Sequence, residues 1–214
     1  LGLALAKAAL AAGWKVIAVA RTAPEIPSSP NLQVELCDLS SDPALQALLL
    51  KLQNVPIDVL VNNAGVYDSP SADDPSAIND YAALTNVFKV NAIVPKLLAD
   101  ALVPNLQARQ EKLVVTISSG MGTYAEFEEY HAEHWAYGAS KAALNYAMIS
   151  FAALHKDIKS SLVNPGWMQT KMGGKDATIP PEESAANILD LITNHQTKLP
   201  NAKMVDRLGE AMEL

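Results

Sequence analysis

Along nearly the whole chain, short apolar runs rich in β-branched residues alternate with longer stretches of helical spacing, and this alternation is what most restricts the folds open to it. Trp14–Ala20 (WKVIAVA), Leu32–Leu36, Ile57–Val61, Leu113–Ile117 and Ser160–Val163 are short runs that read as strands of a buried sheet. Ala4–Ala12, Asp42–Gln53, Asn79–Leu106, Tyr137–His155 and Pro181–Asn194 read as the helices between them. Gly13 ends the first helix, and Asp42-Pro43 resembles a cap followed by proline at the first helical position. The third is expected as one long helix with Leu84, Val87, Phe88, Leu97, Leu98, Ala101 and Leu102 on its apolar side. Lys203–Val205 is a candidate last strand. Strands alternating with helices imply βαβ units, hence a parallel sheet covered on both faces. The expected fold class is α/β: one doubly wound parallel sheet in a single domain, for which 214 residues suffice.

Composition removes several function classes. Half of the residues are hydrophobic and only 18% are charged, the balance of a globular chain. The net charge is −7 and basic runs are absent, so neither nucleic acid nor an anionic membrane surface is the expected partner. No apolar stretch has the length of a membrane span, and the lone Cys37 fits a reducing compartment. A cytoplasmic protein acting on a small molecule is the expectation. The chain opens Leu1-Gly2-Leu3-Ala4, without Met and already in helical sequence.

In doubly wound sheets the ligand lies beyond the carboxyl ends of the strands. Chemistry-bearing residues recur at those ends: Asp38 after one, Asn62-Asn63-Ala64-Gly65 after the next, then Ser118-Ser119, then Pro165-Gly166. Tyr137 and Lys141 stand four apart at the start of a helix and so share a face. An ammonium about 4 Å from a forming phenolate, at an effective dielectric of about 20, supplies roughly 4 kcal/mol. That is enough to bring a phenol towards neutrality and let it exchange a proton at working pH. Pro95 lacks the N–H that would bond the carbonyl of Asn91, so that carbonyl is open to a water, unless Asn91 is only a surface amide beside a kink. At the end of the strand after Gly13, Ala20-Arg21 offers a guanidinium where NAD enzymes place an acid, which favours a 2′-phosphate and hence NADP.

Taken together, Asn62-Asn63-Ala64-Gly65, Ser118-Ser119-Gly120-Met121-Gly122, Tyr137-Gly138-Ala139-Ser140-Lys141, and Pro165-Gly166 with Thr170 resemble the short-chain dehydrogenase/reductases, in order and over nearly the whole length. The stretch Pro165–Gly174 is similar to the small carbonyl reductases related to sniffer and to the bacterial C-factor. The resemblance implies a Rossmann-type fold and NADP(H)-dependent reduction of a ketone or aldehyde. It implies Tyr137 as acid/base, Ser119, the second of the pair, as partner of the substrate oxygen, with the long interval to Tyr137 leaving Ser118 open as well, and Lys141 as tuner of Tyr137 and ligand of the nicotinamide ribose. Asn91 would continue a proton relay through water. Around the cofactor it implies Leu1 and Gly2 at the pyrophosphate, Asp38 at the adenine, Asn62, Ala64 and Gly65 near the adenosine ribose, and Met168 and Thr170 at the carboxamide. The family's glycine-rich turn begins before Leu1-Gly2, so the first strand and most of that turn are expected to be missing from this chain.

The interval from Ser119 to Tyr137 is longer than the family's usual one, which marks an insertion near 126–135. Its Glu126–His134 stretch looks faintly metal-like, but a metal needs converging ligands, and no metal is expected. Tyr124, Tyr130 and Trp135 either line a substrate pocket or pin the insertion, whereas Trp167 lies nearer the nicotinamide side. Residues 171–180, with Gly173-Gly174, are the candidate lid, and Cys37 reads as buried filler. The alternative to an enzyme is a non-catalytic sensor or signalling protein of the same fold. The apolar breadth of Tyr137–His155, with Ala142, Ala143, Tyr146, Ala147 and Phe151, suggests a homodimer or tetramer built on the two long helices.

Overall fold

The computed structural model describes residues 1–67, 80–125 and 127–214. Five strands, β3 (Val59–Asn62), β4 (Leu113–Ile117), β5 (Lys159–Asn164), β6 (Met204–Asp206) and β7 (Ala211–Met212), form one sheet in that order. β3 to β6 are parallel and β7 is antiparallel. β1 (Val16–Ala20) and β2 (Leu32–Leu36) form a separate parallel pair, and no ladder joins β1 to β3. The helices are α1 (Gly2–Ala11), α2 (Asp42–Leu52), α3 (Tyr81–Phe88), α4 (Val94–Ala101), α5 (Val103–Gln107), α6 (Trp135–Leu154), α7 (Pro181–Thr193) and α8 (His195–Lys198).

β4 is buried along its whole length, and its period of two divides the core. Leu113, Val115 and Ile117 pack with Ala4 and Leu5 of α1 and with Ile188, Leu191 and Ile192 of α7. Val114 packs on the other side with Leu144, Met148 and Phe151 of α6 and with Leu106 of α5. Helices cover both faces, the doubly wound arrangement that the alternation implies. A third cluster, Cys37, Leu48, Leu52 and Leu102 with Ile17 and Leu60, lies under α2 and links β1 to β3 through side chains.

The expected long helix is broken. Between α3 and α4 lies a π-helical turn, Lys89–Ile93, in which the N–H of Val94 reaches back to the carbonyl of Lys89. Pro95 follows directly and can donate no bond, so the α ladder cannot run through. A second break falls at Leu102, where α5 opens with Pro104 in its first turn. Asn79, the expected start, lies outside the described residues. Leu97, expected on the apolar side, is exposed. Ser41, not Asp42, holds the cap position of α2. α8 and β7 were not legible as elements; β7 returns through a turn tied by Asp206, whose Oδ1 accepts from the N–H groups of Leu208 and Glu210. Among the described residues no helix is long and apolar enough to cross a membrane.

Candidate active site

The loop after β4 lies across the first turns of α6. Ser118 extends the ladder through its N–H to Val163, and its hydroxyl donates to Asn145 Oδ1 at 2.5 Å. Ser119 caps a 3-10 turn, Gly120–Gly122, its Oγ accepting from the N–H of Met121 at 3.2 Å. Asn145 Nδ2 donates to the carbonyl of Gly122 at 3.1 Å. The two backbones meet without side chains between them. A Cβ on Gly122 would fall 2.6 Å from Lys141 Cβ, and one on Gly138 would fall 2.8 Å from the carbonyl oxygen of Met121. Glycine at both places is therefore a condition of the contact.

Tyr137 is buried on α6, and the nearby Ser119 side chain acts to lower the pKa of its phenol. Of the two serines left open above, Ser119 faces the phenol while Ser118 faces Asn145. Lys141 is buried one helical turn on, its Nζ donating to the carbonyl of Ile117 at 2.9 Å and standing 5.8 Å from the centre of the Tyr137 ring. Burial pushes the Tyr137 phenol up to about 12, against the lowering effect of Ser119 and with a further raising contribution from Tyr67. Burial also draws the Lys141 ammonium down to about 8. The expected depression of Tyr137 by its neighbour is thus overturned: desolvation of both groups dominates.

Asn91 is fully buried within the π-helical turn, which removes the surface-amide alternative. Its Oδ1 accepts from the N–H of Val66 at 2.8 Å, and its Nδ2 donates to the carbonyl of Val66 at 2.9 Å and to Ser140 Oγ at 3.0 Å. Ser140 in turn donates to the carbonyl of Tyr137. Asn62 is also buried, its Nδ2 donating to the carbonyl of Pro95 and to Thr116 Oγ1, so this side chain ties β3 to β4 and α4. Gly65 presents bare backbone beside Asn91 and Lys141: a Cβ there would lie 3.4 Å from Asn91 Oδ1 and 3.8 Å from Lys141 Nζ. Ala64 is exposed next to it. A Cβ on Gly2 would fall 2.4 Å from Asn63 Nδ2, so the Asn63 side chain would have to shift to admit one, and Leu1 packs against the core beneath α1.

On the other side, the register of Ala20 against Leu36 brings Arg21 and Asp38 to neighbouring strand ends. Both are exposed. The Ser40 hydroxyl and N–H hold the Asp38 carboxyl below its usual range, with help from the charges of Arg21 and Lys89. After β5, Met168 bridges to Ile179, the N–H of Thr170 bonds the carbonyl of Met168, and Trp167 Nε1 donates to the carbonyl of Gly173 at 2.7 Å. Residues 167–179 therefore fold back on themselves beside the carboxyl ends.

Tyr67 was missed by sequence reasoning. Its ring stands edge-on to Tyr137 at 4.8 Å and tilted over His134 at 5.2 Å; its place two residues beyond Gly65, at a strand end, was the available signal. Asn145 was missed as well, although a polar residue on the Lys141 face of an alanine-rich helix marks it. Tyr124 and Trp135 are exposed, and Trp135 opens α6 instead of closing the insertion. Glu126 and the side chains of residues 129–131 lie outside the description. Cys37 is buried and its thiol is raised, chiefly by burial.

A dinucleotide needs bare backbone at the strand ends, a cation at its ribose phosphate and a donor at its other ribose. The bare Gly65 backbone, Arg21 and Lys141 stand at or near those strand ends. The fold and these strand ends define a dinucleotide-binding α/β protein. The family model for short chain dehydrogenase matches residues 1–179, and the chain belongs to that family of NAD(P)-binding oxidoreductases. It is 37% identical over 139 residues to C-signal of Myxococcus xanthus, covering 64% of this chain and 81% of that protein. A carbonyl reductase of Pseudomonas aeruginosa, solved in complex with NADP, superposes with a TM-score of 0.78 at 30% identity, covering 100% of this chain and 94% of that one. The carbonyl reductase Sniffer of D. melanogaster shares the fold, with a TM-score of 0.76, 21% identity and coverage of 94% and 100%.

Proposed function

We propose that the protein reduces a ketone or aldehyde to an alcohol with NADPH, reversibly with NADP. The observation that carries this reading is the buried pair of Tyr137 and Lys141 on one face of α6, with the Ser119 side chain acting on the phenol at the end of the central strand. When bound, the nicotinamide supplies the hydride. The chain supplies the rest: Ser119 donates a hydrogen bond to the carbonyl oxygen, and Tyr137 gives that oxygen its proton. A phenol raised to about 12 and an ammonium at about 8 are both protonated at neutral pH, the state a proton donor requires. Lys141 holds the nicotinamide ribose, and the Asn91 carbonyl holds the water through which the Tyr137 proton is restored. Arg21 pairs with the 2′-phosphate, Asp38 lies at the adenine, and Leu1, Gly2, Asn62, Ala64 and Gly65 line the pyrophosphate and adenosine side. Because the Asn62 amide nitrogen is bound internally, Asn62 serves there as a support for the backbone around it. Met168 and Thr170 meet the carboxamide, residues 171–180 form the lid, and the insertion near 126–135 borders the substrate mouth. The NADP complex of the Pseudomonas relative supports the cofactor choice.

The name of the Myxococcus relative, C-signal, favours a second reading, a signalling protein of the same fold. NADPH oxidation by the full-length protein against a panel of aldehydes and ketones separates the two: turnover that disappears in Tyr137→Phe supports the enzyme, and cofactor binding without turnover on any carbonyl supports the signal. A homodimer, or a tetramer built from it, is proposed from the exposed Leu97 of α4 and the exposed Tyr146 and Leu154 of α6. A single sedimenting species of monomer mass at micromolar concentration excludes it.

A further inference from the structure

We infer that Asn145 is a positioning residue, which sets the height of the Ser118–Gly122 loop on α6 and through it the distance from Ser119 to Tyr137. The inference rests on the carbonyl-reductase reading above. Asn145 lies one turn beyond Lys141 and two beyond Tyr137, at the i+4 and i+8 positions of α6, so the three side chains share one helix face. It is buried, and a buried amide is costly unless its donor and acceptor are both used. Here they are, and by the two ends of a single loop. Oδ1 accepts from the Ser118 hydroxyl, the residue before Ser119, and Nδ2 donates to the carbonyl of Gly122, three residues after it.

The loop's own backbone bonds do not fix that height. Gly122 N–H returns to Ser119 and Thr123 N–H to Gly120, so they shape the turn without attaching it to α6. The glycine contacts set the lower limit of approach: the Met121 carbonyl on Gly138 and the Gly122 backbone on Lys141 leave no room for a methyl group. Asn145 sets the upper limit, pulling both ends of the loop down onto that contact. Ser119 stands between the two tied points, and its separation from Tyr137 grows if either tie is released. Ser118 is thereby assigned as well, since its hydroxyl is committed to Asn145 and is not available to a substrate.

The experiment is a double-mutant cycle between Asn145 and Ser119, with NADPH and a carbonyl compound that the full-length wild-type protein reduces. Ser119→Ala is expected to lower kcat about a hundredfold and Asn145→Ala about tenfold, the scale of a misplaced reacting group. The KM for NADPH should stay within about twofold in both, because loss of transition-state geometry alone leaves ground-state cofactor binding intact. The double variant should be no slower than Ser119→Ala, because Asn145 acts through Ser119. Losses that multiply in the double variant, or a kcat unchanged in Asn145→Ala, overturn the inference while leaving the reaction assignment in place. A fully active Ser119→Ala overturns the reaction assignment and the inference with it. If Asn145→Ala does not fold, Ser118→Ala removes one tie only; it should lower kcat about threefold and show the same lack of additivity, and multiplicative loss there counts equally against the proposal.

Discussion

The two walls of the site are built on opposite terms. On the wall made by β4 and α6, every strand residue is buried, Tyr137 and Lys141 are buried with them, and two asparagines, Asn91 and Asn145, tie adjoining loops with bonds at both ends of their amides. On the wall made by β1 and β2, Val19, Val34 and Leu36 are exposed, and Arg21 and Asp38 sit at the surface. The difference is one of packing: β4 has a paired strand on each side, whereas among the described residues β1 pairs with β2 alone. Proton transfer requires donor and acceptor within hydrogen-bond reach, so the groups on the first wall are over-determined by packing. Selection of a phosphate by a guanidinium rests on charge and tolerates movement of a long side chain. The proposed chemistry therefore sits on the stiff wall and the proposed cofactor preference on the loose one.

That contrast can be broken at its strongest point. Tyr137→Phe keeps the ring and removes the proton, and turnover should fall by about a thousandfold or more while NADPH titration by fluorescence gives an unchanged Kd; full activity in this variant refutes the assignment. The next largest effect is on stability. Gly138→Ala drives a methyl into the Met121 carbonyl and should cost about 1–3 kcal/mol by urea unfolding, whereas Leu36→Ser on the exposed strand should stay within about 0.5 kcal/mol. Equal costs at the two positions would erase the distinction between the walls. Arg21→Ala should raise the KM for NADPH about tenfold, equivalent to about 1.4 kcal/mol, and leave that for NADH unchanged. Added salt should reproduce part of that loss in the wild type, and equal KM values for both cofactors in the wild type count against the preference. The smallest effect is in pH. Burial lowers the Lys141 ammonium to about 8, so its charge is present below that pH and lost above it. Cofactor affinity should weaken about fivefold from pH 7 to pH 9 in the wild type and remain flat in Lys141→Met.

Much of this was legible in the chain because local pattern and tertiary environment agree. Leu32–Leu36 and Leu113–Ile117 form strands with the bounds that their composition gives, and the recurrence of polar residues after successive runs locates the strand ends where the site assembles. The failures share a cause, which is that long-range packing decided them. Burial, invisible in a spacing of four residues, reverses the expected direction at Tyr137. Asn145 bonds Ser118 and Gly122 across 27 and 23 positions of sequence, so nothing beside it in the chain announces its partners. Tyr67 reaches Tyr137 only because β3 and α6 converge. The break around Pro95 could be foreseen as a missing donor, but its resolution as a widened turn depends on what Asn91 bonds.

The π-helical turn at Lys89–Ile93 makes segment length itself a constrained quantity. Such a turn arises as a local bulge in an α-helix, and removing one residue from it would shorten the path from α3 to α4 while Pro95 still offers no N–H to an α ladder. The five residues of the turn fix where Asn91 stands relative to α4, so a shortened turn has to displace one of two sets of contacts. Val94 and Leu98, which pack with Leu45 of α2, would swing off their partners, or Asn91 would leave Val66 and Ser140. A single-codon deletion between Lys89 and Ile93 should therefore be less tolerated than one in the Pro24–Pro30 loop, and a deletion scan read out by NADPH binding would trace the boundaries of the turn.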